Sequence, residues 1–424
     1  LAECGAELIV TDLKTQEAVS EGHPDKISDQ ISDALLDEHL KQDPNSKVAI
    51  ETMVTSSKVI LAGEVKSNAT FNTNEIVRKT ICNIGYNTPE LIFDGNSCEI
   101  INLISEQSDE INKAVVKENN DIGSGDQGFM VSMATNNTPD YLPLPYYLSR
   151  KIITELTNLR KSGSLKYNFL RPDAKSQVTI EYYEDGQPKR AHTVIISISH
   201  SPIIDLEDLR KIIKNDFIPK FLIEPLSMKI SDLFDNETIY KINYGGTFIS
   251  CGPASDCGLT GRKIVVDAGF PTVGGGAFSG KDYSKTDRSS AYFARYVSKN
   301  LVAANIADEV IVEVSYVIGG IEPVSVNVSI KAKNKKVNLS DSEISKIVQE
   351  LFSFKPKNII EKLKLKNPIY LKTAGNGHFG HQSYNKDGIE YFTWEKLDSV
   401  KLIRDRFQDH LKRKTQEFEP DIHI

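Results

Sequence analysis

Cysteine is scarce and unpatterned in this sequence. Cys4, Cys82, Cys98, Cys251 and Cys257 are odd in number, include no Cys-x-x-Cys pair and have no histidine cluster beside them. Neither a disulfide framework nor a zinc site is indicated, and a reducing, cytoplasmic compartment is expected. Long apolar runs are missing too. No stretch approaches ~18 apolar residues, and the opening LAECGAELIV lacks the basic start and apolar length of a signal peptide, so no membrane partner is expected. Nor is there an excess of positive charge: 51 Lys and Arg against 58 Asp and Glu leave a net −7, which disfavours nucleic acid as a general partner. What remains is an ordinary globular composition, 39% hydrophobic and 26% charged, in 424 residues. At roughly 150 residues per domain this suggests about two to four domains.

One order of elements, helix, hairpin, helix, recurs three times. In the first copy Pro24 to Leu40 places Ile27, Ile31, Ala34 and Leu35 at helical spacing. KVAIETMV and KVILAGEV then flank Ser56-Ser57, and Asn74 to Ile84 resumes a helical pattern. The second copy runs from a helix at Tyr146 to Lys161, through SQVTIEYY and AHTVIISIS around Asp185-Gly186, to a helix from about Leu206 to Phe217. The third predicts a helix over Arg288 to Ala307, strands EVIVEVSYVI and EPVSVNVSI around Gly319-Gly320, and a helix from Ser342 to Phe352. The fold class expected is α+β: three pseudo-repeated domains, each a small, mainly antiparallel sheet covered by helices. The divisions are 10–112, 122–250 and 251–398 with a helical tail at 399–424, and strands exchanged between domains.

Chemistry is sought where the copies differ. SEGHPDK, residues 20 to 26, sets His23 before Pro24, so the free N–H groups of a helix start face His23 and Asp25. Such an end attracts phosphate, although Asp25 there equally complements the helix dipole. In the first hairpin a turn centred on Ser56 and Ser57 puts Glu51 opposite Ala62 and Glu64 opposite Ala49, both acids on one face. That face is either a solvated surface or a site for a cation or ammonium. GSGDQG, residues 123 to 128, allows close backbone approach to a ligand or simply turns the chain. RPDAKSQV sets Asp173 and Lys175 before a strand.

The densest signal lies between Arg262 and Arg288. Five basic residues (Arg262, Lys263, Lys281, Lys285, Arg288) and three acidic ones (Asp267, Asp282, Asp287) give a local +2 within a chain of net −7, interleaved with glycines. This reads as an anion site. Gly275 to Lys281 fits part of a P-loop, but Asp282 stands where a metal-binding hydroxyl is required, which demotes that reading. TAGNGHFG, residues 373 to 380, is on its own most simply a turn.

Taken in order, SEGHPDK, GSGDQG, RPDAKSQV, GLTGRK, GGGAFSGKD, SKTDRS and GHFG, spread over residues 20 to 380, resemble the methionine adenosyltransferase (S-adenosylmethionine synthetase) family. The resemblance implies that methionine sulfur attacks C5′ of ATP and displaces triphosphate, which is then hydrolysed to pyrophosphate and phosphate. It implies catalytic roles for His23, Lys175, Arg262 and Lys281, with His23 at the leaving oxygen and Lys175, Arg262, Lys263 and Lys281 on the phosphates. Asp173, Thr247, Phe248, Asp256 and Ala277 complete the implied ATP site. Glu64, Gln107, Asp256 and Lys285 are implied for methionine, Asp25 and Asp287 for two Mg²⁺ ions, and Glu51 for K⁺. A homodimer with shared active sites is implied as the minimum unit, with a dimer of dimers as the larger alternative. The sequence departs from the family pattern at Thr247, in a shortened segment after Asp267, in Gln-Ser-Asp-Glu at 107–110 within a gating segment, at Asn376, and in an insertion at 382–391.

Overall fold

The computed structural model describes residues 10–107, 121–331 and 334–410. Cys4, most of the gating segment and the end of the C-terminal tail lie outside these residues. The strands are β1 (Val10–Val19), β2 (Lys47–Thr55), β3 (Lys58–Lys66), β4 (Glu99–Glu106), β5 (Gly128–Thr135), β6 (Leu170–Tyr183), β7 (Pro188–His200), β8 (Ile239–Ile242), β9 (Gly258–Leu259), β10 (Glu309–Tyr316) and β11 (Ser325–Ser329). The principal helices are α1 (Pro24–Gln42), α2 (Thr73–Ile84), α3 (Leu144–Lys161), α4 (Thr286–Ala303) and α5 (Asp341–Leu351).

Three sheets have the orders β4-β3-β2-β9, β1-β6-β7-β8 and β11-β10-β5. Each contains one antiparallel hairpin and one strand from a distant part of the chain: β9 on β2, β1 on β6, and β5 on β10. Pairing is mainly antiparallel, with two parallel exceptions, β3 with β4 and β7 with β8. Both follow from connectivity. A helical crossover, α2 in one case and the helical stretch 206–223 in the other, brings the chain back in the same direction.

Local chemistry accounts for most element limits. His23 caps α1 and Pro24 fills its first turn, where a missing N–H costs nothing. The first hairpin has the expected register, Glu51 opposite Ala62 and Glu64 opposite Ala49. Its other face, Val48, Ile50, Val54, Val59 and Leu61, is buried. Two helices differ from expectation. α4 stops at Ala303 rather than Ala307 because Asn305 turns left-handed (φ 66°), and the Asn305 and Ile306 amides bond back to the Val302 and Leu301 carbonyls. The helix beginning at Leu206 continues as a wide π-type coil over Ile213–Ile223, which contains Pro219; the Glu224 amide reaches the Pro219 carbonyl five residues back. The insertion at 382–391 forms a small hairpin, Tyr384–Lys386 against Ile389–Tyr391.

Two apolar clusters make the core. One fills the second sheet with α3 and the 206–223 stretch; the other runs continuously beneath the remaining two sheets, α1 and α4. Cys82, Cys98, Cys251 and Cys257 are unpaired thiols. Among the described residues no helix is long and apolar enough to cross a membrane.

A buried ion cluster ties the late loop to α4. The carboxylate of Glu395 accepts from Arg295 (3.1 Å), Lys299 (2.6 Å) and the Gly380 amide (2.7 Å). Burial works against its ionisation, but Arg295 and Lys299 outweigh burial and hold the carboxyl down at about 2. A depressed carboxyl contributes stability that is complete above its unfolded value and is lost as pH falls toward its folded value. Glu395→Gln should therefore lower unfolding free energy by about 3–5 kcal/mol at neutral pH, since it strands two buried cations. In urea titrations the difference from wild type should shrink as pH falls from about 4.5 toward 2.

Candidate active site

His23 is fixed by its own helix. Its Nδ1 accepts the Asp25 N–H at 3.2 Å, so in the neutral ring the proton resides on Nε2, the nitrogen left free to donate. The ring is neutral: burial first, and then Lys263, push its pKa down to about 3, against a smaller opposing pull from Asp25.

Asp25 organises the cations around this ring. Its Oδ1 accepts from the Leu259 amide (3.0 Å) and lies 3.1 Å from Arg262 Nε, while Oδ2 takes Lys263 Nζ at 2.6 Å. Burial opposes the charge on Asp25, but the Lys263 hydrogen bond and the Leu259 amide hold its pKa below the usual range. Lys175 stands on β6 opposite Val19 of β1, paired with Glu17 at 2.9 Å, and acts electrostatically on His23 and Asp173. Asp173 accepts the Gly252 amide at 3.0 Å. Burial, aided by nearby Asp256, pushes Asp173 up to about 7. His23, Asp25, Asp173, Lys175, Asp256, Arg262 and Lys263 thus form one group.

A second group gathers at the edge of β2. Lys281 bridges to Ala49 through the backbone, and its ammonium pairs with Asp287 at 2.7 Å. Glu51, two residues from Ala49, is exposed on β2; partial desolvation by its surroundings raises its carboxyl, with Lys281 opposing. Asp287 opens α4 directly against Gly276, where an added Cβ would lie 2.3 Å from the Asp287 Cγ; only glycine lets the loop pass this close. The 123–128 loop packs onto the same helix start, with Ser124 bonded to Thr286 at 2.9 Å and the Gly125 amide to the Ser284 carbonyl at 3.3 Å. Ala277 touches the turn at Gly261 and so joins the two groups.

Two expectations from the charge-rich segment change. Asp282 is buried and structural: it accepts from the Val48 amide (2.7 Å), Ser284 (2.6 Å) and Lys285 (2.5 Å). Burial resists its charge, but Lys285 and Lys47 pull it down to about 2. Lys281 therefore precedes a buried anchor on a strand edge, not the first turn of a helix, and the P-loop reading is excluded. Arg288, counted among the anion-site cations, is buried and committed to Asp33, because α4 turns it inward.

The residues expected at methionine fall into three places: Glu64 beside Gln107 where β3 pairs with β4, Asp256 near Asp173, and Lys285 on Asp282. Glu64 is exposed on β3, and Gln107 is buried at the end of β4, its amide on the Val65 carbonyl. Asp256 neighbours Asp173, and Lys285 is held on Asp282. Thr247 is exposed, while Phe248 is fixed through its backbone by His200. Asn376 donates to Thr154 at 2.8 Å. Sequence reasoning missed Lys26, Asp29 and Asp33, which lie buried beneath the two groups. Their signal was present in the one-turn spacing of acids along α1.

Comparison with known proteins identifies the family. Three family profiles match in order: S-adenosylmethionine synthetase N-terminal domain at residues 11–109, central domain at 121–248 and C-terminal domain at 250–396. Among curated relatives, the S-adenosylmethionine synthase of Azobacteroides pseudotrichonymphae is 48% identical over 423 residues, covering 93% of this chain and 99% of its own. Those of Flavobacterium psychrophilum and Cytophaga hutchinsonii are each 47% identical over 415 residues with the same coverage. The chain therefore belongs to the S-adenosylmethionine synthetase family, and its activity is methionine adenosyl transfer, the synthesis of S-adenosylmethionine.

Proposed function

We propose that the reaction is a direct displacement at C5′ of ATP, followed by cleavage of the displaced chain to pyrophosphate and phosphate. The methionine sulfur donates a lone pair to form the S–C5′ bond. The C5′–O bond breaks and its electrons leave on triphosphate. A thioether has no proton to lose, so no general base is required; alignment and stabilisation of the polyanion carry the catalysis. Water then cleaves the triphosphate.

The observation that carries this reading is that His23, its Nε2–H left to donate, stands within the electrostatic reach of Lys175 and Lys263 and beside Asp25, which holds both Arg262 and Lys263. A neutral imidazole donor fits the oxygen that leaves C5′, and the cations fit the phosphates beyond it. Lys281 would extend the grip, with Phe248 and Ala277 against the nucleotide and Asp173 anchoring the 252 turn. One unit-charge pair at 4 Å is worth ~4 kcal/mol at an effective dielectric of 20, so several cations acting together suit a leaving group of high charge. Within the chain Asp25 and Asp287 pair with these cations. Phosphate would replace the carboxylates, freeing them for metal.

The family uses metal ions, and the donors here fit Mg²⁺: hard carboxylate oxygens, one from Asp25 and one from Asp287. Among the described residues no three or more His, Cys, Asp or Glu stand together as a metal cluster. The ions would thus depend on phosphate oxygens and water for the rest of their octahedra. Bound there, Mg²⁺ would neutralise charge on the phosphate oxygens. Glu51 would hold K⁺ beside Lys281.

Glu64 and Asp256 suit the methionine ammonium, Lys285 its carboxylate, and Gln107 its polar end. Their attachment to different parts of the chain, Glu64 with Gln107 on β3–β4 and Asp256 beside Asp173, suits sites shared between two subunits, so a homodimer is the smallest active unit in this reading, with a dimer of dimers as the larger alternative. The unpaired cysteines suit a cytoplasmic enzyme.

His23→Ala should lower kcat for sulfonium formation by about 10²–10³, the usual cost of one leaving-oxygen donor, while ATP affinity changes by less than about threefold. Stopped-flow quench and equilibrium binding separate the two, and equal losses in both would contradict the role. In ¹⁵N NMR of the free enzyme, His23 should remain a neutral Nε2–H ring at pH 6; binding of inorganic tripolyphosphate should raise its pKa by cancelling the repulsion from Lys263. A free-enzyme titration near 6.5 would contradict this.

A further inference from the structure

Asp25, Asp29, Asp33 and Asp37 stand one turn apart on α1, all buried, and each accepts backbone N–H from a segment remote in sequence. Asp25 takes Leu259 (3.0 Å), Asp29 takes Gly261 (2.8 Å), Asp33 takes Gly280 (2.8 Å), and Asp37 takes Tyr370 and Leu371 (both 2.9 Å). Two of these amides stand immediately before the cations assigned to triphosphate: Gly261 before Arg262 and Lys263, and Gly280 before Lys281. Both glycines are left-handed, at φ 79° and 81°, so the loops turn sharply at the pinned positions.

The hold at Lys281 is the more complete. Arg288 forks onto both oxygens of Asp33 (2.6 and 2.8 Å) and also donates to the Lys281 carbonyl at 3.2 Å. The Gly280 carbonyl accepts from the Ile50 amide at 3.0 Å, and the Asp282 amide reaches the Val48 carbonyl at 3.1 Å. Three successive peptide units around Lys281 are therefore clamped. Asp29 is backed in the same way by Lys26 at 2.9 Å, which also pairs with Asp267. Stability alone does not call for such pairs, because buried ion pairs are often replaced by apolar residues without loss.

We propose that Asp29 and Asp33, with Arg288, are positioning residues: they fix the two cation loops relative to His23, which the same helix carries at its cap. None of them touches substrate. The inference rests on the reading that Arg262, Lys263 and Lys281 grip the triphosphate.

The test uses the full-length enzyme with Asp33→Leu and Arg288→Met combined, which removes the clamp without stranding a charge. The double variant should melt cooperatively, yet form sulfonium about 100-fold more slowly, the usual effect of a 1 Å misplacement. Its affinity for inorganic tripolyphosphate should fall about tenfold, with KM for methionine within about twofold of wild type. A folded double variant that turns over within about threefold of wild type overturns the proposal. Lys281→Ala, run in parallel, separates the two layers. Unchanged tripolyphosphate affinity there sinks the grip itself, whereas weakened affinity there beside an unimpaired double variant sinks only the positioning role. If the double variant does not fold, hydrogen exchange on the unmodified enzyme decides. Slow exchange at the Gly261 and Gly280 amides supports the clamp, and exchange as fast as in open loops overturns it.

Discussion

A charged stripe runs through the interior on α1, and the geometry around it depends on that stripe. Four carboxylates one turn apart reach three segments remote in sequence that no local contact would bring together: the stretch from β9 into the 261 turn, the 280 turn and the stretch at 370. A buried carboxylate is costly unless paired and hydrogen-bonded. Each here has at least one backbone amide, and Asp25, Asp29 and Asp33 also have cations. Because amides and guanidinium forks are directional, the compensation is met in only one arrangement of the loops.

The same requirement shapes the site. In the proposed function the site gathers lysines and arginines for a polyanion, and like charges so close repel one another unless anions stand among them. The chain supplies carboxylates of its own, Asp25 to Arg262 and Lys263, and Asp287 to Lys281. These pairs hold the cations against the protein, and in the proposed function the same acids would serve a metal. Side-chain exchange between carboxylate and phosphate then requires little movement of backbone, which the buried stripe holds in place.

Much of the architecture was legible in the sequence. The cap at His23, the start of α1 at Pro24 and the register of the first hairpin follow from local rules, proline at a first helical turn and a two-residue loop with alternating apolar side chains. Parallel pairing at β3–β4 and β7–β8 was not, since it depends on where a crossover helix packs. Within the site, the cation-rich segment between Arg262 and Arg288 stood out by charge and glycine content. That Arg288 and Asp282 turn inward was invisible, because charge counting does not tell which face of a helix or which side of a turn a residue takes. The acids of α1 were missed for a related reason. Acids at one-turn spacing opposite an apolar stripe ordinarily mark a solvated face, and only tertiary packing shows them enclosed.

In the proposed function the cations paired with Asp25 and Asp287 are handed over to phosphate. A crystal structure of the enzyme with Mg²⁺, methionine and a non-hydrolysable ATP analogue tests it most directly. The account predicts the ammonium groups of Lys263 and Lys281 on phosphate oxygens and the carboxylates of Asp25 and Asp287 released from them onto metal, with the backbone at Gly261 and Gly280 unmoved. Nucleotide bound while the Lys263–Asp25 and Lys281–Asp287 pairs stay intact would contradict it.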